Sequence, residues 1–221
     1  MRRLARPCAT RLGVRDRQSR ATLGGMRLFH TPTSPFVRKV SVVAHELGLA
    51  DRIEPQFLRP TPTRADPVLT QANPLNKIPA LVLDDGRTLY DSHVICEYLA
   101  ELAGGDRQVA MLPATGPARY AVLCREALCD GILDAAILVF YEKHSRPEAL
   151  WWPAWLEGQA EKARQGVDAL ARDVGALHDR VDLGTIAAAI TLGWLEFRGV
   201  LGDLRSGRDE LFAWYDRFRA R

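Results

Sequence analysis

The chain has 221 residues, of which 47% are hydrophobic and 26% are charged, the composition of an ordinary globular protein. No apolar run approaches the roughly 18 residues that a membrane-spanning helix needs, so we expect no membrane partner. The four cysteines and five histidines show neither metal-ligand spacing nor a Cys-x-x-Cys redox motif, so we expect no metal. Cys124 and Cys129 follow a helical pattern that predicts buried thiols.

The net charge of +3 is unevenly distributed along the chain. Residues 1–25 contain seven arginines and one acid, a net charge of +6 that leaves −3 for the remainder. This slightly acidic remainder gives no basis for nucleic-acid binding. We interpret residues 1–25 as a disordered extension or a mis-assigned start before a fold that begins at Met26, with an organellar presequence as the alternative. The preferred interpretation predicts a cytoplasmic protein.

Residues 26–104 have the pattern of a small α/β domain. Residues 26–30 predict a first strand, and Ser34 then stands where a helix N-cap is expected, with Pro35 at the first helical position. A second strand is predicted over residues 53–58, which completes a parallel βαβ unit.

The second part of this domain is predicted to be a β-hairpin followed by a helix. The hairpin strands cover residues 80–83 and 88–90, and the helix begins at Ser92. The proline-rich stretch 59–76 predicts a surface loop with one short helix. The order βαβ followed by ββα is the thioredoxin-like arrangement.

The rest of the chain is predicted to be helical after a linker rich in glycine and proline at residues 105–117. Residues 118–221 form the predicted all-helical domain. Its clearest apolar stripe, at positions i, i+3, i+4 and i+7, consists of Leu211, Trp214, Tyr215 and Phe218. The fold class is therefore α/β plus all-α: an N-terminal thioredoxin-like domain (βαβ-ββα) followed by a C-terminal helical bundle.

Five motifs in chain order resemble those of the glutathione S-transferase family, tau-like and related bacterial members above all, across nearly all of residues 26–221. They are Thr-Ser-Pro-Phe-Val-Arg-Lys at 33–39, Asn-Pro-Leu-Asn-Lys-Ile-Pro at 73–79, the acid–serine motif and helix at 89–99, and the helices at 125–135 and 192–198. The resemblance implies a homodimer that uses glutathione as co-substrate and a small hydrophobic electrophile as acceptor.

The resemblance also implies the glutathione-binding residues, which are Phe36, Lys77, Ile78, Pro79, Asp91 and Ser92. Ile78, before a cis Pro79, would pair its backbone with the cysteinyl part of glutathione like an added strand. Asp91 would meet the γ-glutamyl ammonium, and Ser92 the γ-glutamyl carboxylate at a helix N-terminus. Helix capping would explain Asp91 and Ser92 equally well. Phe36 is expected beside the sulfur or in the core between helix and sheet, and Lys77 near a carboxylate or in solvent.

Ser34 is implied to be the catalytic residue, with simple helix capping as the alternative. A thiol has an ordinary pKa near ~8.5, and lowering it by two units needs roughly 2.7 kcal/mol. A hydroxyl hydrogen bond to the anion supplies about 1.5–3 kcal/mol, and a helix N-terminus about 0.3–1 kcal/mol. Serine cannot form a mixed disulfide, so Ser34 favours thiolate addition or substitution over thiol–disulfide exchange.

The electrophile pocket is expected between the domains, with Tyr120, Arg125 and Trp194 as candidates, although aromatic residues at helical spacing more often belong to a core. The alternatives are a glutathione-dependent peroxidase, dehalogenase or reductase, and a non-catalytic interaction module. In the predicted core helix, Thr185 stands where the family places an aspartate three residues after the N-cap, here Asp182. We expect the reciprocal capping bond to be lost, at about 1 kcal/mol.

Overall fold

The computed structural model describes residues 25–177 and 180–221. Apart from Gly25, the predicted extension 1–25 lies outside the described residues, as does Cys8. The first domain contains strands β1 (Met26–His30), β2 (Ile53–Phe57), β3 (Ala80–Val82) and β4 (Thr88–Leu89), and helices α1 (Pro35–Glu46), α2 (Pro67–Ala72) and α3 (Ser92–Ala103). The four strands lie in the order β2-β1-β3-β4. The β1–β2 pair is parallel and the other two pairs are antiparallel, which confirms the thioredoxin-like βαβ-ββα prediction.

The second part of the chain is helical. It contains α4 (Gly105–Met111), α5 (Gly116–Ser145), α6 (Pro153–Arg172), α7 (Leu183–Arg198) and α8 (Asp209–Arg219). The segment predicted as a linker, 105–117, therefore holds helix α4, because Gly104 and Gly105 adopt positive φ and turn the chain directly from α3 into a new helix. None of the helices described is long and apolar enough to cross a bilayer.

The described residues form two large apolar cores and one small one, and one of the large cores crosses between the domains. Val40 of α1, Leu81 of β3 and Leu99 of α3 pack against Leu183 and Ile186 of α7 in one cluster. All five side chains are completely buried. The sheet domain therefore buries its α1–α3 face partly against a helix of the second domain, which fixes the start of α1 relative to α7.

The second core lies among α5, α6 and α7. Gly166 of α6 allows the closest helix approach there, because a Cβ atom at this position would come within 2.3 Å of Ile132 on α5. The apolar stripe predicted near the end of the chain is confirmed, since Leu211, Trp214 and Tyr215 of α8 are buried against this core.

The start of α7 has a complete capping box, so the predicted loss of the reciprocal bond is wrong. The Asp182 carboxylate accepts a hydrogen bond from the Thr185 backbone N–H at 2.8 Å, and the Thr185 hydroxyl accepts one from the Asp182 N–H at 2.9 Å. The Thr185 Oγ1 also donates, to the carbonyl of Arg180 or of Asp182, each at 3.0 Å. A hydroxyl oxygen can replace the missing carboxylate because it accepts and donates at once.

The two cysteines on α5 have opposite environments. Cys129 is buried, and burial raises the pKa of its thiol to about 12. Cys124 is exposed, so its predicted burial is wrong. Five residues along a helix correspond to about 140° of rotation, which places these two positions on different faces.

Candidate functional site

Ser34 lies at the N-terminus of α1, with its backbone in an extended conformation that breaks the helix. Its Oγ accepts a hydrogen bond from the Val37 N–H at 3.3 Å, which caps the helix. Pro35 follows at the first helical position, where a missing N–H costs nothing. Because the cap uses only a lone pair of the hydroxyl, the proton of Ser34 remains available to a ligand.

A cleft of about 550 Å³ opens beside Ser34, between α1 and the helices α7 and α8. The cleft is lined by Pro32, Thr33, Ser34, Pro35, Arg38, Val42, Glu46, Ile186, Ala189, Ile190, Gly193, Trp194, Phe197, Tyr215, Phe218, Arg219 and Arg221. Gly193 belongs to this lining, and a Cβ atom at this position would lie 2.6 Å from the Tyr215 hydroxyl. A group joined to an atom near Ser34 can therefore extend into a mostly apolar space.

The turn before β3 is built by Asn73. Its side-chain N–H donates to the Lys77 carbonyl at 2.8 Å, and its amide oxygen accepts from the Leu75 N–H at 3.0 Å. The Ile78–Pro79 peptide bond that follows is cis. Asn73 is almost fully buried, and no role for it follows from the sequence because its partners depend on how this turn closes.

Asp91 and Ser92 begin α3 with different roles. Asp91 is the N-cap and accepts a hydrogen bond from the His93 N–H at 3.1 Å, so its capping interpretation holds in this structure. Ser92 is 2% exposed, and its hydroxyl has no hydrogen-bond partner among the residues described. The Ser92 hydroxyl at a helix N-terminus suits an anionic group of a ligand.

Phe36 and Lys77, two other predicted glutathione-binding residues, have different surroundings. Phe36 is partly buried against the core of the helical domain, so it does not lie between helix and sheet. Lys77 is exposed, and its charge acts on Asp134 of α5, opposing the rise in pKa that burial gives this carboxyl.

Only one of the three predicted electrophile-pocket residues lines the cleft. Trp194 does, and its indole N–H donates to the Thr33 carbonyl at 3.1 Å. Tyr120 is 65% exposed near the start of α5, while Arg125 donates to the Ala176 carbonyl at 3.2 Å. Neither residue lines this cleft, because α5 is long. The Phe140 ring that contacts Trp194 lies 20 residues after Tyr120, which is about 30 Å along the helix axis.

Four charged residues that the motifs do not single out form a network between the domains. Lys39 of α1 donates from Nζ to Glu126 Oε1 at 2.7 Å and to both carboxylate oxygens of Asp130 at 2.7 and 2.8 Å. The other oxygen of Glu126, Oε2, lies 2.7 Å from Nδ1 of His93 on α3. We call Lys39, His93, Glu126 and Asp130 the inter-domain network. It joins the helix that begins at Ser34 to the helix that begins at Asp91–Ser92.

At three of the four groups of the inter-domain network, the neighbouring charges and hydrogen bonds shift the pKa more than burial does. Burial alone would lower the pKa of Lys39, but Glu126 and Asp130 raise it above its ordinary value. Burial would raise the pKa of Glu126, but His93 and Lys39 lower it. The hydrogen bond to Glu126 raises the pKa of His93. The pKa of Asp130 is raised by burial, which Lys39 only partly offsets.

One sequence signal could have revealed this network. Glu126 and Asp130 are four residues apart, so their carboxylates share one face of α5, and a buried acidic pair on a helix needs a cation. The described residues contain no cluster of His, Cys, Asp and Glu that could hold a metal ion.

Comparison with known proteins identifies the family of this chain. Residues 33–102 match the model of the glutathione S-transferase N-terminal domain. The uncharacterized GST-like protein YibF of Escherichia coli (strain K12) is 38% identical over 178 residues, which cover 79% of this chain and 84% of that protein. The chain belongs to the glutathione S-transferase family.

Solved structures of other glutathione transferase family members extend the match to the whole fold. One from Pseudomonas fluorescens Pf-5, with bound glutathione, is 40% identical with a TM-score of 0.86 over 89% of this chain and 95% of that one. A second structure from the same bacterium, with bound S-(propanoic acid)-glutathione, is 38% identical with a TM-score of 0.81 and the same coverage.

Proposed function

We propose that this protein is a glutathione transferase that activates the thiol of glutathione for attack on a small hydrophobic electrophile. The observation that carries the proposal is the position of Ser34, whose hydroxyl begins α1 at the end of an apolar cleft. Its proton would be donated to the glutathione thiolate while the Val37 N–H caps the helix through the same oxygen.

Glutathione would occupy the surface formed by the starts of α1 and α3 and the turn before β3. Ile78 would pair its backbone with the cysteinyl part of glutathione, as an added strand does. Ser92 would bind the γ-glutamyl carboxylate, with Asp91 and Lys77 near the ends of the tripeptide and Phe36 near its sulfur. The glutathione-bound relative with a TM-score of 0.86 supports this assignment.

The acceptor would bind in the cleft between α1, α7 and α8, against Trp194. A relative holds glutathione with a propanoic acid group on its sulfur, which supports a product of this kind here. Ser34 cannot form a mixed disulfide, so conjugation is favoured over disulfide reduction. We further propose a detoxifying role and a homodimer, as the family resemblance implies. We also propose a cytoplasmic location, because thiols are kept reduced in the cytoplasm.

The test is Ser34→Ala, with Ser41→Ala as the matched control because Ser41 lies on the same helix outside the cleft lining. Losing a hydrogen bond to the thiolate costs about 1.5–3 kcal/mol, so we expect the pKa of bound glutathione to rise by about one to two units. Conjugation of an aromatic halide at pH 6.5 should fall about 10- to 100-fold in kcat/KM.

Calorimetry distinguishes activation from binding. Glutathione affinity should change less than about threefold in Ser34→Ala, since most of the contacts lie elsewhere on the tripeptide. Full conjugating activity in Ser34→Ala would refute the role of Ser34. Binding by the wild type without turnover of any electrophile would favour the non-catalytic module instead.

A further inference from the structure

The lining of the cleft contains more positively than negatively charged side chains. It includes three arginines, Arg38, Arg219 and Arg221, and a single acid, Glu46. This excess contrasts with the negative net charge of the chain beyond residue 25. Binding of uncharged electrophiles alone would not require this positive charge.

Two of the three arginines already have partners. Arg221 contacts the Glu46 carboxylate at 3.3 Å, and Arg219 contacts Asp216 at 3.1 Å while its guanidinium lies over the Tyr215 ring. Arg38 is exposed and has neither an ion pair nor a side-chain hydrogen bond with any residue that the structure describes. Arg38 is therefore the uncompensated cation of the cleft.

Arg38 lies one helical turn beyond Ser34. Its backbone N–H donates to the Ser34 carbonyl at 3.1 Å, which is the first bond of α1. Neighbours four residues apart on a helix are about 6 Å apart, and helical side chains lean towards the N-terminus. The guanidinium can therefore reach a group attached close to a sulfur atom held at Ser34.

The opposite wall of the cleft is apolar and aromatic. Ile190, Trp194 and Phe197 of α7 face the space that Arg38 borders. A ligand matched to both walls has an apolar or aromatic body with one anionic group directed at α1. Carboxylates are the groups that an arginine fork pairs with most specifically.

We propose that this cleft selects electrophiles that carry a carboxylate near the reacting carbon, with Arg38 as the specificity-determining residue. The inference rests on the proposed function of the same site. With 2-chloro-3,5-dinitrobenzoate as acceptor, whose carboxylate is ortho to the reacting carbon, the thiolate forms a C–S bond at that carbon and the C–Cl bond breaks. Chloride leaves with the electron pair, and the thiol proton goes to solvent.

The test compares 2-chloro-3,5-dinitrobenzoate with its methyl ester, which adds one methyl group and removes the charge. The ratio of their kcat/KM values, each corrected for the spontaneous reaction, should fall about tenfold or more in Arg38→Gln, because a charge-assisted hydrogen bond is lost. Activity with the ester should change less than about threefold. Arg52→Gln, an exposed arginine away from the cleft, is the control and should leave the ratio unchanged.

A binding measurement keeps this inference separate from the proposed catalysis. The two glutathione conjugates, acid and ester, are titrated into wild type and Arg38→Gln by calorimetry. The acid conjugate should bind the wild type more tightly, and Arg38→Gln should remove the difference. An equal affinity for both conjugates, or a preference that survives in Arg38→Gln, overturns the proposal even if both substrates turn over. Loss of turnover with the binding preference intact would refute only the proposed function.

Discussion

His93 is the residue of the inter-domain network whose charge changes near neutral pH. Its pKa is raised by the hydrogen bond to Glu126, so its protonated form stabilises the fold. That contribution is fully present below the ordinary pKa of about 6.5 and disappears as the pH rises through the higher folded value. His93 therefore makes the molecule more stable on the acidic side of neutrality.

We expect His93→Gln to lower the free energy of unfolding near pH 6, and the difference from wild type to vanish above the raised pKa. The effect should stay below about 1 kcal/mol, because His93 is 41% exposed and solvent screens its charge. Urea unfolding at several pH values measures it. His45→Gln, an exposed histidine on α1, is the control, and an equal pH dependence in both variants would exclude this role for His93.

At the scale of single elements, the start of α7 depends on one hydroxyl. Thr185→Val keeps the shape of the side chain but leaves the buried Asp182 N–H without its acceptor. We expect the free energy of unfolding to fall by about 1–3 kcal/mol. Thr191→Val is the matched control on the same helix, since that hydroxyl makes a 3.5 Å contact with the Cys129 carbonyl and a hydrogen bond with its thiol, but caps no backbone N–H. A similar cost for both substitutions would contradict the capping argument.

The packing of α6 on α5 supplies a second test at this scale. Gly166→Ala places a Cβ against Ile132, so we expect a loss of about 1–3 kcal/mol of stability. Gly158→Ala, in the same helix but with open space around it, should gain about 0.5–1 kcal/mol from helix propensity. Thermal or urea unfolding of the two variants should therefore shift in opposite directions.

Local signals allowed several elements to be predicted from the sequence. Ser34 and Pro35 mark the start of α1 because a cap and an N1 proline act within four residues. The same locality explains the strand at residues 26–30. The prediction for the capping box at α7 is wrong for a local reason too: a carboxylate is the usual reciprocal acceptor, and Thr185 supplies a hydroxyl instead.

At the scale of the whole molecule, the sequence indicates only one part of the inter-domain network, the acidic pair Glu126 and Asp130 on α5. Lys39 and Glu126 are 87 residues apart, and no spacing rule relates positions on separate helices. The position of Tyr120 relative to the cleft could not be derived from the sequence for a similar reason, since it depends on which turn of a 30-residue helix reaches the cleft. Trp194 lines the cleft because the shared core holds α7 beside α1.

The prediction at the scale of the whole molecule concerns Lys39. Lys39→Met would leave the buried Glu126 and the half-buried Asp130 without their cation, and removing one partner of a buried ion pair typically costs about 3–5 kcal/mol. We expect a large fall in the urea midpoint of unfolding. The double variant Lys39→Met with Glu126→Gln should recover part of it, because it removes one of the stranded charges. A loss of the same size in both variants would indicate that packing, and not charge, is responsible.

The glycine in the lining of the cleft has a consequence for how this scaffold can diversify. Position 193 faces the Tyr215 hydroxyl so closely that even a methyl group would push the Tyr215 side chain aside and change the shape of the cavity. The depth of the cleft available to an acceptor therefore depends on the missing Cβ atom of Gly193. Gly193 lies on α7, which carries none of the proposed glutathione contacts. Acceptor size and co-substrate recognition can thus evolve independently in this protein.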